Sequence, residues 1–305
     1  MNEQAGAAMR SGPDFIIIGA MKCATSSIHD QLARQAGVSM SEPKEPNFFA
    51  DAENWAKGMG WYESLFSSMA ANDLKGESST HYTKLPTYPQ CASRVHQALP
   101  KARLIYVMRD PIDRIVSQYI HEWSVHVIDK GCSIDEAIRE YPILVEYSKY
   151  AQQLTPYFEL YGKDTILPVF FERLMANPQD ELERIAKHIG YSDEVRWYED
   201  GAKNVSSQRQ RRNPVLDMVL GMPAIQSVRR ALLPESVRAK IRSRWTMNER
   251  PELSRESLEW LYSQLDLDLG VLGEELGIEL SCKKFKEQVG HGHAPEWSST
   301  EVGHG

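Results

Sequence analysis

Short apolar runs that stop at a glycine or a charged turn, and pass directly into a helical pattern, leave this chain few folds to adopt. Phe15-Ile16-Ile17-Ile18, entered from Pro13-Asp14 and closed by Gly19, has the length and β-branched character of a buried strand. From Ser26 onward Ile28, Leu32, Ala33 and Ala36 recur at helical spacing and stop at Gly37, which reads as a C-cap. A second run, Arg103-Leu104-Ile105-Tyr106-Val107-Met108, is followed by Arg109-Asp110-Pro111 and a helical pattern through Ile115, Tyr119 and Trp123. The third, Ile166-Leu167-Pro168-Val169-Phe170-Phe171, precedes an amphipathic segment from Asn177-Pro178 to Ile189 that ends at Gly190. Strands alternating with helices predict an α/β fold with a mostly parallel, doubly wound central sheet, in which ligands bind at the carboxyl ends of the strands.

Downstream, Pro234 to Arg244 and Leu253 to Leu276 read as helices, with the apolar residues near Trp245, Trp260 and Leu265 as core positions. No internal repeat or boundary signal interrupts the chain, so one domain over 14–289 is expected. It would lie between a flexible N-terminus, 1–13, and a Gly/His/Ser-rich flexible tail, 290–305. A net charge of −7 argues against a protein whose main job is coating nucleic acid, because counterion release needs clustered basic residues; any anionic ligand must be met by local cations. The four cysteines are widely spaced without a C-x-x-C pair, so neither a zinc site nor a disulfide scaffold is expected. Residues 1–13 lack a signal-peptide apolar region, and no run approaches the roughly 18 apolar residues that cross a bilayer. A cytoplasmic protein without a membrane span follows; the sequence sets no oligomeric state.

The stretch Gly19-Ala20-Met21-Lys22-Cys23-Ala24-Thr25-Ser26-Ser27 sits where a strand hands over to a helix. Small residues let the backbone wrap an anion, the helix N-terminus offers free N–H groups, three hydroxyls add donors and Lys22 adds charge. The spacing is not that of a Walker A loop, G-x-x-x-x-G-K-[ST], since Lys22 precedes the hydroxyl residues by three positions. That argues against a nucleoside triphosphatase.

The same loop resembles the 5'-phosphosulfate loop of sulfotransferases that use 3'-phosphoadenosine 5'-phosphosulfate (PAPS), a strand followed by G-x-x-K-x-G-T-[TS]. Ala24 stands where that family has glycine, so its backbone must either avoid positive φ or carry strain. The family also has a strand, an arginine, a turn and a helix with a serine eight residues after the arginine, as in Leu104 to Pro111 followed by Ser117. The resemblance, which runs from Asp14 to Ile189, implies a P-loop-like sulfotransferase fold with a helical C-terminal third. It implies donor contacts at Lys22, Cys23, Ala24, Thr25, Ser26 and Ser27, and a 3'-phosphate grip by Arg109 and Ser117. It places the basic segment Lys203 to Arg212 where the family closes a loop over the nucleotide, with Arg209, Arg211 or Arg212 on the 3'-phosphate or substrate anion. Phe171 could touch adenine, although strand aromatics usually pack in the core.

The resemblance implies sulfuryl transfer from PAPS, leaving 3'-phosphoadenosine 5'-phosphate (PAP), to a hydroxyl or amine of a carbohydrate or other hydroxylated small molecule. The scheme requires no metal. Lys22 would neutralise charge on the moving group, and a general base would take the acceptor proton. Glu42-Pro43-Lys44-Glu45-Pro46-Asn47-Phe48-Phe49 is similar to the K-E-x-H-F-F stretch of the carbohydrate branch, where the glutamate is the base, which points to Glu45. His81, in Ser79-Thr80-His81, echoes the K-T-H-L-P histidine of the small-molecule branch and competes for the role. Two rival classes remain: a small-molecule kinase, which would want a Walker A loop and Mg²⁺ carboxylates, and an inactive binding protein on the same fold.

Overall fold

The computed structural model describes residues 12–199 and 249–298. Their contacts form two compact units, one taking in 12–111, 146–198 and 262–298, the other 112–145, 199 and 249–261. The first unit holds a five-stranded sheet made of β1 (Phe15–Gly19), β2 (Val38–Met40), β3 (Leu74–Ser78), β4 (Arg103–Met108) and β5 (Ile166–Phe170). Its order is β2-β3-β1-β4-β5 and every pairing is parallel. Parallel strands are covered on both faces, which is why β1 and β4 read as unbroken apolar runs: Phe15 to Ile18 and Leu104 to Met108 are fully buried.

The order places β1 in the middle; the connection after β1 runs to β2 on one side and the connection after β4 runs to β5 on the other, so the turn after β1 opens at the switch point of the sheet. The β1–β4 register slips between Ile17 and Gly19, an irregularity that re-aims the chain as it enters that turn. A side chain at Gly19 would run into the Thr83 hydroxyl and the Tyr106 ring, so only glycine lets the strand leave there.

Three strands were legible in the sequence, and the structure adds β2 and β3. The helix after the turn, α1 (Thr25–Leu32), stops short of the expected Ala36. Arg34 and Gln35 donate their amides to Gln31 O and Leu32 O, tightening the last turn, and the Gln35 side chain holds Gln31 O and Arg196 O. Helices Pro111–Ser124, Pro178–Ile189 and Arg255–Leu276 lie where the periodicity puts them, and Gly190 closes the second in a left-handed conformation. The expected helix Pro234 to Arg244 and Trp245 after it lie outside the described residues.

The segment expected as a loose tail from 290 is held down as far as Ser298. Arg173 and Arg184 donate to Gly292 O and Pro295 O, Trp297 Nε1 donates to Ile166 O at 2.6 Å, and the Ser298 amide donates to Glu275 O. From the long C-terminal helix, Asp268 accepts the amides of Ala151 and Gln152 at 3.0 and 2.9 Å, in the first turn of the helix Tyr150–Tyr161. Among the described residues no helix is long and apolar enough to cross a membrane.

Candidate active site

The carboxyl ends of the strands meet in one site, and the turn after β1 forms its floor. Lys22 and Ala24 adopt left-handed backbone, with φ of 71° and 65°, while the Cys23 amide donates to Ala20 O. Such alternation curls successive N–H groups toward a common point. Ala24 is the N-cap of α1 and no side chain caps that helix, so the Thr25 and Ser26 amides lack an intrahelical acceptor. The alternative left open at Ala24 is thus resolved: its backbone takes the conformation that glycine favours. Cys23 is fully buried, with its thiol directed at Met21 O and its amide at Ala20 O, so its contribution to the cradle is to the shape of the turn.

Arg109 follows β4 on the neighbouring strand. Tyr150 fixes its backbone, donating to Arg109 O at 2.6 Å and accepting the Arg109 amide at 3.4 Å. The guanidinium lies over the Phe171 ring at 4.3 Å and donates from Nη1 to Lys22 O at 3.4 Å. Its Nε is buried with no hydrogen-bond partner among the described residues. An unsatisfied buried donor on a half-buried cation costs free energy that an anion would recover. The uncapped helix and this unspent donor together fit a ligand carrying separate phosphate groups. Phe171 opens a helix rather than ending the strand, and it is half-buried and carries the arginine instead of filling the core. Ser117, nearly buried on the helix Pro111–Ser124, belongs to the second unit. Arg209, Arg211 and Arg212 lie outside the described residues.

The two candidate bases are neighbours. Glu45 accepts from Lys44 Nζ at 3.0 Å on Oε1 and from the Thr80 hydroxyl at 3.1 Å on Oε2, with His81 Nδ1 3.9 Å away. Burial alone would push the Glu45 carboxyl up, but the Lys44 ammonium, the Thr80 hydroxyl and His81 together hold it below the usual glutamate range. Burial, reinforced by Lys84, pushes His81 down to about 4 against the pull of Glu45 and Asp51. At neutral pH Glu45 is therefore ionised and His81 uncharged, its buried Nδ1 without a hydrogen-bond partner among the described residues. The Lys44–Glu45 pair is half-buried rather than a solvated surface pair.

Several residues of this site carry no motif signal. Glu77, at the end of β3, is fully buried and accepts from Tyr62, from Tyr82 at 2.7 Å and from Ser79 at 2.5 Å. Burial raises its pKa, opposed by those three hydroxyls. Ser79 Oγ in turn accepts the amide of Asn47, which is held at a φ of 51° two residues after Glu45. His29 on α1 pairs with Ser78 Oγ at 2.9 Å and is pushed down to about 4 by burial and by Lys44. The hydroxyl run Ser78-Ser79-Thr80 was the available clue, hidden because β3 does not read as a strand.

A model of the sulfotransferase family matches residues 31–194, more than half of the chain. The chain belongs to this family. The matched part of the sulfotransferase holds Lys44, Glu45, His81, Arg109 and Ser117, while the turn at 19–27 precedes it. The human bifunctional heparan sulfate N-deacetylase/N-sulfotransferase 2 is 28% identical over 198 residues, covering 58% of this chain and 22% of that protein. The mouse heparan sulfate glucosamine 3-O-sulfotransferase 3B1 is 28% identical over 195 residues, covering 61% of this chain and 48% of that one. The sulfotransferase thus spans between about a fifth and a half of the length of these curated relatives. The crystal structure of a sulfotransferase from Alicyclobacillus acidocaldarius shares the fold, with a TM-score of 0.61 at 21% identity over 88% of this chain and 97% of that one.

Proposed function

We propose that this sulfotransferase moves the sulfuryl group of PAPS to a hydroxyl or amine of a carbohydrate-type acceptor, with Glu45 as general base. One observation carries the reading: an anion cradle and an ionised carboxylate stand side by side at the strand ends, joined by Lys44, which reaches Thr25 at 3.4 Å and Glu45 at 3.0 Å. The Thr25 and Ser26 amides, with Lys22, hold the 5'-phosphate end; Arg109 takes the 3'-phosphate. Glu45 accepts the acceptor's proton as the acceptor atom bonds to sulfur and the bond from sulfur to the 5'-phosphate oxygen breaks. The heparan sulfate relatives support a glucosamine-containing saccharide as acceptor. A cytoplasmic location is part of the same proposal, supported by four free thiols.

The test is transfer from sulfur-labelled PAPS to a panel of desulfated saccharides and small phenols. Label on a saccharide is expected, with no transfer from γ-labelled ATP; the reverse result identifies a kinase. Glu45→Gln should lower kcat about 10²-fold or more without loss of donor binding. Undiminished turnover in that variant would hand the role to His81. Lys22→Ala and Arg109→Ala should each weaken PAP binding about tenfold in calorimetry, as loss of a charge-assisted hydrogen bond does. Wild-type affinity in both would remove the donor site.

A further inference from the structure

The Lys44 ammonium is half-buried, and its hydrogen bonds go to the Thr25 hydroxyl on the anion cradle and to Glu45 Oε1. Thr25 is the first residue of α1, so the ammonium lies beside the uncapped end of that helix. For a general base this partnership is counterproductive, because a cation 3.0 Å from a carboxylate stabilises its charge and weakens its pull on a proton. An anion arriving at the cradle competes for the same ammonium.

We propose that Lys44 couples the two halves of the site: it pairs with Glu45 in the empty enzyme, and donor binding draws it to the sulfuryl end of the donor, releasing Glu45 to act on the acceptor. This rests on the reading of the cradle as a PAPS site. Lys44 is then a second donor-binding cation beside Lys22, and the base reaches full strength only when the donor is in place. No bond to Lys44 forms or breaks; the acceptor proton ends on Glu45 and the sulfuryl group on the acceptor, with PAP leaving.

The experiment is calorimetric titration of the full chain with PAPS and with PAP, in the absence of acceptor, for wild type, Lys44→Met, Glu45→Gln and the double variant. Lys44→Met should weaken PAPS about tenfold and PAP, which lacks the sulfuryl group, by under about threefold; its retained PAP binding doubles as the control for folding. Glu45→Gln, which leaves Lys44 unshared, should bind PAPS about two- to fivefold more tightly. In the double variant that gain should vanish, a coupling that a merely structural lysine would not show. Equal losses for PAPS and PAP in Lys44→Met, unchanged PAPS affinity, or a gain from Glu45→Gln that survives without Lys44 would each overturn the coupling. A wild-type chain that binds neither nucleotide would instead refute the donor-site reading on which the coupling rests.

Discussion

At Ala24 a single methyl group sits in backbone geometry that disfavours it. Left-handed φ at a non-glycine residue costs about 1 kcal/mol, and the turn accepts it because Gly19 and α1 fix the chain on both sides. Ala24→Gly should therefore raise stability by about 1 kcal/mol, roughly 2 °C in Tm, while PAP affinity is kept; calorimetric melting checks it. The protonation of Glu45 is a second matter of single residues. Its neighbours Lys44 and His81, with His29 and Glu77 within electrostatic range, set its charge, and the balance leaves it below the ordinary value of 4.5. A base with a depressed pKa stays deprotonated as pH falls, so kcat/KM for PAPS, which reports the empty enzyme, should stay level further into the acid range than an ordinary glutamate allows. The acid limb of that profile should move to higher pH in Lys44→Met, where the chief depressing charge is gone. A pH-rate profile of both proteins decides.

Among the elements, β3 shows why part of the site was hidden. Leu74-Lys75-Gly76-Glu77-Ser78 offers one large apolar side chain, so neither alternation nor an apolar run announces a strand. The backbone nonetheless pairs with β1 and β2, because the Phe15 ring and the Met40 sulfur fill the space above Gly76. Gly76→Ala should cost about 1–3 kcal/mol as an overpacking change, measured by urea unfolding; the stability of wild type would mean that the ring and sulfur move aside freely. The donor side was more legible. Lys22 and Arg109 follow strands whose burial on both faces writes itself as continuous hydrophobic sequence, and their loops carry spacing that resembles a known pattern. Lys44, Thr80, Glu77 and His29 meet only through tertiary contact across 29–80, which no local pattern encodes.

On the scale of the whole molecule, the grip on Arg109 has an origin far along the chain. Tyr150 holds the backbone of Arg109, and Tyr150 begins a helix whose first amides are taken by Asp268. Burial raises the Asp268 pKa, opposed by those two amides, so it is a group whose charge is maintained by what it binds. Asp268→Asn should weaken PAP binding severalfold while leaving Glu45 and His81 untouched, and calorimetry beside a pH-rate profile would separate the two effects. Unchanged PAP affinity would show that Tyr150 needs no such support. The donor-site signatures in the sequence end by Arg212, yet Arg109 among them leans on a residue still further along the chain. A fragment carrying every recognisable signature and stopping before Asp268 would keep the vocabulary of the family while losing the grammar that lets it hold a nucleotide.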